Sequence, residues 1–307
     1  MVGCTYLYKQ IVCTYCGEPR LSKGVSLVEK DHVLIKVFYV LFTEVDRAIT
    51  KCILITSSNR RVLGSIAVGR VIDVGPEADS HLHDKLVITL PFCCNALIPI
   101  DMDGPAQEFY SISSKCVNVV PRTLLDDPLS PITRIFSIDE ELLDIIRGRE
   151  VLLLGDSLAI AAFYSYSIRE ASLVATVRLT TPTIFAPSAE QISIDSGRKF
   201  DVVVALGLDY TLCYLVRKFC GDRCYIITYP YLSKLLRLEV DRSCRINILR
   251  FNNLSLGLSL LNSLRHVIEK SVKLYYDLIP EAPIHSPSIA VLRRKRSSSL
   301  SHQNTSD

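Results

Sequence analysis

The chain has 307 residues, 49% of them hydrophobic and 22% charged, a composition that excludes a disordered polymer and a length that suits two domains better than one small core. Its net charge of +3 is too small for a protein dedicated to nucleic acid, whose basic surface has to displace counterions from phosphates. The first ten residues lack the apolar core and small-residue cleavage site of a secretory leader, so a cytoplasmic protein is expected.

In chain order, residues 32–40 (HVLIKVFYV) are rich in β-branched and aromatic side chains and read as a strand. Residues 62–74 (VLGSIAVGRVIDV), closed by Gly75-Pro76, read as one or two more, and 85–90 and 108–112 as further strands separated by the breaker Gly104-Pro105. The texture changes after Pro131. Residues 139–147 (DEELLDIIR) place acids ahead of helically spaced apolar residues, as the first turn of a helix prefers. The apolar run 151–168 contains Gly155 and Asp156 and lies between Arg149 and Arg169, so it falls short of the about 20 uncharged residues of a bilayer helix. It reads instead as a buried strand, 151–154, followed by a crossover helix, 158–168. Strands are expected at 173–177, 201–206 and 225–228, with a helix over 208–219, and one helix or two over 254–276. Strands alternating with helices imply a doubly wound parallel sheet. The tail, 293–307, is basic and then Ser-rich and is expected to be disordered; a contact of Arg293 to Arg296 with nucleic acid or membrane is the less favoured reading.

Eleven cysteines are many for such a chain. Cys13 and Cys16 form a single knuckle with no second pair at zinc-ribbon spacing, and the adjacent Cys93 and Cys94 suit neither a chelating turn nor an easy disulfide. Cys220 and Cys224 could bridge in a hyperthermophilic host; most of the others read as small buried apolar residues.

Residues 62–75 resemble the VLGHE-x-x-G-x-V-x-x-VG segment of the medium-chain dehydrogenases, the zinc-type alcohol dehydrogenase superfamily. Residues 83–87 (HDKLV) resemble its GDRV turn, 104–109 (GPAQEF) its GAFAEY, 151–160 its VLVLGDGKLG and 200–204 its FDVVV, in family order over residues 30–292. The resemblance implies an α/β chain with a GroES-like β-barrel domain over 1–130, completed by about 266–292, and a Rossmann-like domain over 131–265. It also implies a zinc ion that polarises the substrate oxygen while hydride passes to or from NAD(P).

The departures bear on function. The family's first zinc ligand, a cysteine, falls on Thr43, its His-Glu pair on Ser65 and Ile66, and the later ligand near 132–136, where there is no cysteine or carboxylate. Hydroxyls are poor zinc ligands and isoleucine is none, so no metal is expected. Asp46 is retained, either to shape the site or to cap a following helix. The three glycine positions of the dinucleotide turn are Gly155, Ser157 and Ile160; Ser157 adds a Cβ where a phosphate approaches, although the helix N-terminus would still offer amides to an anion. Candidate cofactor contacts are Gly155, Asp156, Ser157, Leu158, Arg178, Ala205 and Gly207. Arg178, at the end of the second strand, favours NADPH over NADH if a dinucleotide binds, and is otherwise a surface arginine. The two prolines in 179–187 obscure the next crossover helix. His81, His83 and His266 have no evident partner. Two readings compete: a zinc-independent NAD(P)(H) oxidoreductase with catalytic candidates Thr43 and Asp46, and a non-catalytic relative serving as a binding or oligomerisation scaffold. The substrate is not legible, and a homo-oligomer is possible.

Overall fold

The structure, a computed structural model, describes residues 6–13, 16–177, 180–208, 211–230, 243–285 and 287–292; the tail from 293 and Arg178 lie outside them. The first domain is organised around β3, His32–Phe42, whose 11 residues are long enough to take three partners. β5, Ile66–Val74, runs antiparallel along most of it. On its other edge β9, Phe109–Ser113, covers the first half. β18, Ser288–Val291, covers the second half, from Tyr39 to Phe42. β6, Leu86–Thr89, and β10, Val117–Val119, extend the sheet beyond β5, and β17, Lys273–Tyr275, extends it beyond β18. The chain therefore returns to its first sheet after leaving the second domain. A smaller sheet joins β1, Tyr6–Cys13, to β2, Arg20–Ser26, and β4, Arg61–Val62.

The second domain holds six parallel strands in the order β13-β12-β11-β14-β15-β16: Glu190–Ile192, Leu173–Val177, Glu150–Leu154, Phe200–Ala205, Cys220–Thr228 and Arg245–Ile248. β11 and β14 are near-continuous apolar runs because both faces are covered. Val151, Leu153, Val202 and Val204 point into the core shared with the crossover helix of residues Ala159–Glu170, while Leu152, Leu154, Val203 and Ala205 point to the opposite face, under the helix of Thr211–Phe219. The first of these cores also takes in Tyr39, Leu41, Ile66 and Val68, so one body of apolar side chains joins the domains. Between β12 and β13 the described residues contain only a single 3-10 turn, Thr183–Phe185, and Phe185 and Ala186 fill the space in the core. The stretch 254–276 resolves into two helices, Leu254–Ser263 and Arg265–Ser271, and then β17. No helix among the described residues is long and apolar enough to cross a membrane.

Two disulfides tie the first domain, Cys16–Cys52 and Cys93–Cys116. The Cys220–Cys224 bridge that the sequence leaves open is not formed: both are thiols, their sulfurs 2.9 Å apart on either side of a bulge in β15 where Arg223 takes a positive φ.

Candidate functional site

The site is built where the end of β3 and the start of the next helix meet the carboxyl ends of β11 and β14, the point at which strand order reverses. Helix α1, Glu44–Thr50, begins with a capping box. Thr43 Oγ1 accepts from Val45 N at 3.3 Å, and the Asp46 carboxylate accepts from Thr43 N at 2.9 Å. The same carboxylate accepts from Gly64 N and from Ser65 Oγ, each at 2.7 Å, and Ser65 Oγ lies 2.7 Å from Thr43 Oγ1. With the Ser65 proton on Asp46, the Thr43 hydroxyl donates to Ser65. Asp46 is fully buried, and its carboxyl is pushed up to about 6 because desolvation outweighs the donors facing it.

The second-domain side is the turn between β11 and α2, the helix Ala159–Glu170. Gly155 has φ +119, and a Cβ there would stand 1.9 Å from the Leu206 carbonyl oxygen, so only glycine fits. Ser157 points inward. Its Oγ lies 2.7 Å from Tyr229 Oη and accepts from Ala159 N at 3.3 Å. The next two amides, of Ile160 and Ala161, donate to the carbonyls of Ser157 and Leu158 at 3.0 Å. This corrects two expectations. Ser157 does not present its side chain to a ligand, and the first-turn amides of this helix are already occupied. Asp156 faces outward and forms an ion pair with Arg47 of α1, the two side chains 39% and 27% exposed.

Between the two turns lies Glu44, the first residue of α1. It is buried beside Ser157, Tyr229 and Asp156; burial first, and the Asp156 charge second, push its carboxyl up to about 7 against the lowering effect of the two hydroxyls. Burial likewise pushes the Tyr229 phenol well above its usual range. Glu44 is a wall of two cavities. One, of about 40 Å³, is mainly apolar and bordered by Thr43, Ser65, Ile66, Phe92, Tyr229 and Phe251. The other, of about 570 Å³, is bordered by Arg47, Lys51, Gly155, Asp156, Thr180 and Leu208.

Of the residues singled out from sequence, Thr43 lies on the smaller cavity and Asp46 behind it, in the hydrogen-bond network. Gly155 and Asp156 border the larger cavity, and Gly207 stands beside them, a Cβ on it being 3.2 Å from Asp156 Oδ1. Ser157, Leu158 and Ala205 are buried in the packing of the turn and sheet. Glu44, Arg47 and Tyr229 were not anticipated. The one available signal was the pair of acids in Thr43-Glu44-Val45-Asp46, which reads equally as the acidic first turn of a helix.

No family model and no curated protein matches the sequence. Solved structures do. A thermostable alcohol dehydrogenase from Pyrobaculum aerophilum superimposes with a TM-score of 0.66 at 15% identity, over 93% of this chain and 100% of that one. Galactitol-1-phosphate dehydrogenase from Escherichia coli gives 0.66 at 13%, over 92% and 99%. Acetophenone reductase from Geotrichum candidum, in complex with NAD, gives 0.62 at 16%, over 88% and 90%. The chain thus has the fold of the medium-chain, zinc-type alcohol dehydrogenases, a GroES-like domain joined to a Rossmann-like parallel sheet.

Proposed function

We propose that this protein is a zinc-independent oxidoreductase of the alcohol dehydrogenase type, using NAD(P)(H) on a small alcohol, carbonyl or quinone substrate in the cytoplasm. The observation that carries the reading is the pair of cavities meeting at the strand-order reversal, the larger beside the Gly155 turn and the smaller lined by apolar side chains. A dinucleotide fits the larger cavity through Gly155 and Gly207, which keep the backbone close, and through Arg47 and Lys51, whose charge answers phosphates in place of the occupied helix amides. Arg178 would then favour a 2′-phosphate. A nicotinamide supplies or accepts hydride, and the protein's part is to hold donor and acceptor together away from water.

Zinc does not fit the donor set. Thr43 and Ser65 are neutral hydroxyls bonded to each other, Ile66 is aliphatic, and Asp46 spends its oxygens on two backbone amides and Ser65. The helix of Ile132–Phe136 reaches the smaller cavity with Ile135.

The occupied amides of α2 and the Arg47–Asp156 pair across the larger cavity favour the second reading, a non-catalytic scaffold. Titration with NADPH, followed by nicotinamide fluorescence and thermal shift, separates the two. Saturable binding is expected, and none at millimolar cofactor would leave the scaffold. Stoichiometric zinc in the purified protein, removable together with dehydrogenase activity, would overturn the metal-free part.

A further inference from the structure

Loss of a metal leaves a reaction of this type without an electrophile at the substrate oxygen, and the wall of the smaller cavity holds one group able to serve. Among the described residues, Glu44 is the only carboxyl on that wall, and it also borders the larger, more open cavity. It comes from the first residue of α1, while the two hydroxyls nearest it in effect, of Ser157 and Tyr229, come from the second domain and lie 2.7 Å from each other. The carboxyl thus stands at the seam between the domains, beside a hydroxyl pair of the second. The charged and titratable groups around it are Asp156, with its partner Arg47, on the side of the larger cavity, the Tyr229 phenol, and Asp46 on its own helix.

We propose that Glu44 is the general acid–base of this site, exchanging a proton with the substrate oxygen in the smaller cavity and with solvent in the larger, and that Tyr229 and Ser157 are its positioning residues. The inference rests on the oxidoreductase reading above. In the reducing direction the carbonyl carbon gains a hydride from a dihydronicotinamide, which is oxidised to the nicotinamide cation. The carbonyl π pair moves to oxygen, and oxygen takes the proton of the Glu44 carboxyl. The carboxylate left behind recovers a proton from solvent through the larger cavity once the oxidised cofactor has left it. Alcohol oxidation runs the same exchange backwards, with Glu44 as base. A carboxyl that titrates at about 7 is matched to both directions at neutral pH, since it is neither fully ionised nor a weak acid. The apolar walls select substrates carrying one oxygen on a small apolar frame.

The test uses the full chain. Infrared difference titration without any ligand should show a protonated carboxyl band that disappears with a midpoint near 7 and is missing in Glu44→Gln. Retention of that band in the variant would overturn the proposal. Tyr229→Phe, which removes a hydroxyl that lowers the carboxyl, should move the midpoint upward and carry the pH profile of turnover with it; an unmoved midpoint and profile would remove Tyr229 from its assigned role. With NADPH and a panel of apolar aldehydes and ketones, Glu44→Gln should lose roughly 100-fold in kcat while its NADPH affinity changes far less. Turnover of Glu44→Gln equal to that of the wild type would refute the acid–base role and leave the oxidoreductase reading standing. Failure of the wild type to bind NADPH would remove that reading and this one together. Should Glu44→Gln not fold by circular dichroism, the Tyr229→Phe shift decides.

Discussion

Asp46 offers a sharp test because two opposing forces meet on one side chain. Its carboxylate accepts from two buried amides and one hydroxyl, an arrangement that by itself would favour the charge, yet it is cut off from water on every side. Burial wins, and the group titrates at about 6 instead of 3.8. The native state therefore holds the proton more tightly than the unfolded chain does. The sign follows: the stabilisation is complete below the unfolded value, declines as pH rises from about 4, and is gone above about 6. A difference of 2.2, from 3.8 to about 6, corresponds to about 3 kcal/mol. Asp46→Asn does not titrate, and its amide can accept at only one atom, so one of the two amide donors loses its partner at a cost of about 1–3 kcal/mol. Urea unfolding of both proteins across this pH range, followed by circular dichroism, should show the wild type's lead over Asp46→Asn shrinking by about 2 kcal/mol between pH 4 and 7. The Glu44 titration is common to both proteins and cancels. A lead that stays constant, or widens with pH, would mean that the three donors outweigh burial and that the network is wetter or looser than described.

Two further outcomes probe the turn at the mouth of the larger cavity. Gly155→Ala should lose roughly 3 kcal/mol or more, since its Cβ meets a backbone oxygen that cannot retreat without breaking the β14 turn; Gly148→Ala, at φ +69 with nothing within 4 Å, should lose about 1 kcal/mol, and comparable melting shifts in the two would count against the described turn. Asp156→Asn should draw the Glu44 midpoint below 7 and, by freeing Arg47, tighten NADPH binding by roughly threefold to tenfold; weaker binding would place Asp156 among the ligand's partners and not its competitors.

What could be read in the amino-acid order was whatever repeats with the period of a strand or helix. Residues 151–154 and 201–205 announce themselves as central parallel strands because both faces are apolar, and β3 and β5 because they are long and β-branched. The hairpin of β1 and β2 escaped notice: Arg20–Ser26 carries four polar or charged residues and a glycine, and its strand character comes from its pairing with β1. The disulfides are equally silent, since Cys16 and Cys52 lie 36 residues apart and only the closure of the first domain brings them together. At the site, the replacement of Thr43 and Ser65 could be read by position, but not that each is the other's partner. Ser157 shows the limit most plainly. Its replacement of a glycine set a Cβ where a phosphate would approach, and only the fold reveals that the side chain turns inward to Tyr229, 72 residues later.

The pattern of satisfied and orphaned polar atoms distinguishes a rebuilt cleft from a decayed one. A metal ion removed from a site without compensation leaves buried donors and acceptors facing one another with nothing between them, and each such orphan costs about 1–3 kcal/mol. Among the described residues the buried side-chain atoms without a partner are on Arg61, Ser130, Thr133, Arg134, Ser167 and Tyr275. None of them belongs to the chain Thr43–Ser65–Asp46 or to the cluster Glu44–Ser157–Tyr229. The first closes on itself and on backbone amides, which fixes the end of β3 and the start of α1. The second ties the two domains together and leaves its one carboxyl on the walls of both cavities. Packing alone would be better served by apolar side chains at the seam, because a buried carboxyl is expensive to keep. The position of Glu44, beside a hydroxyl pair of the other domain and on the walls of two cavities, is the feature of this cleft that stability does not explain and proton transfer does.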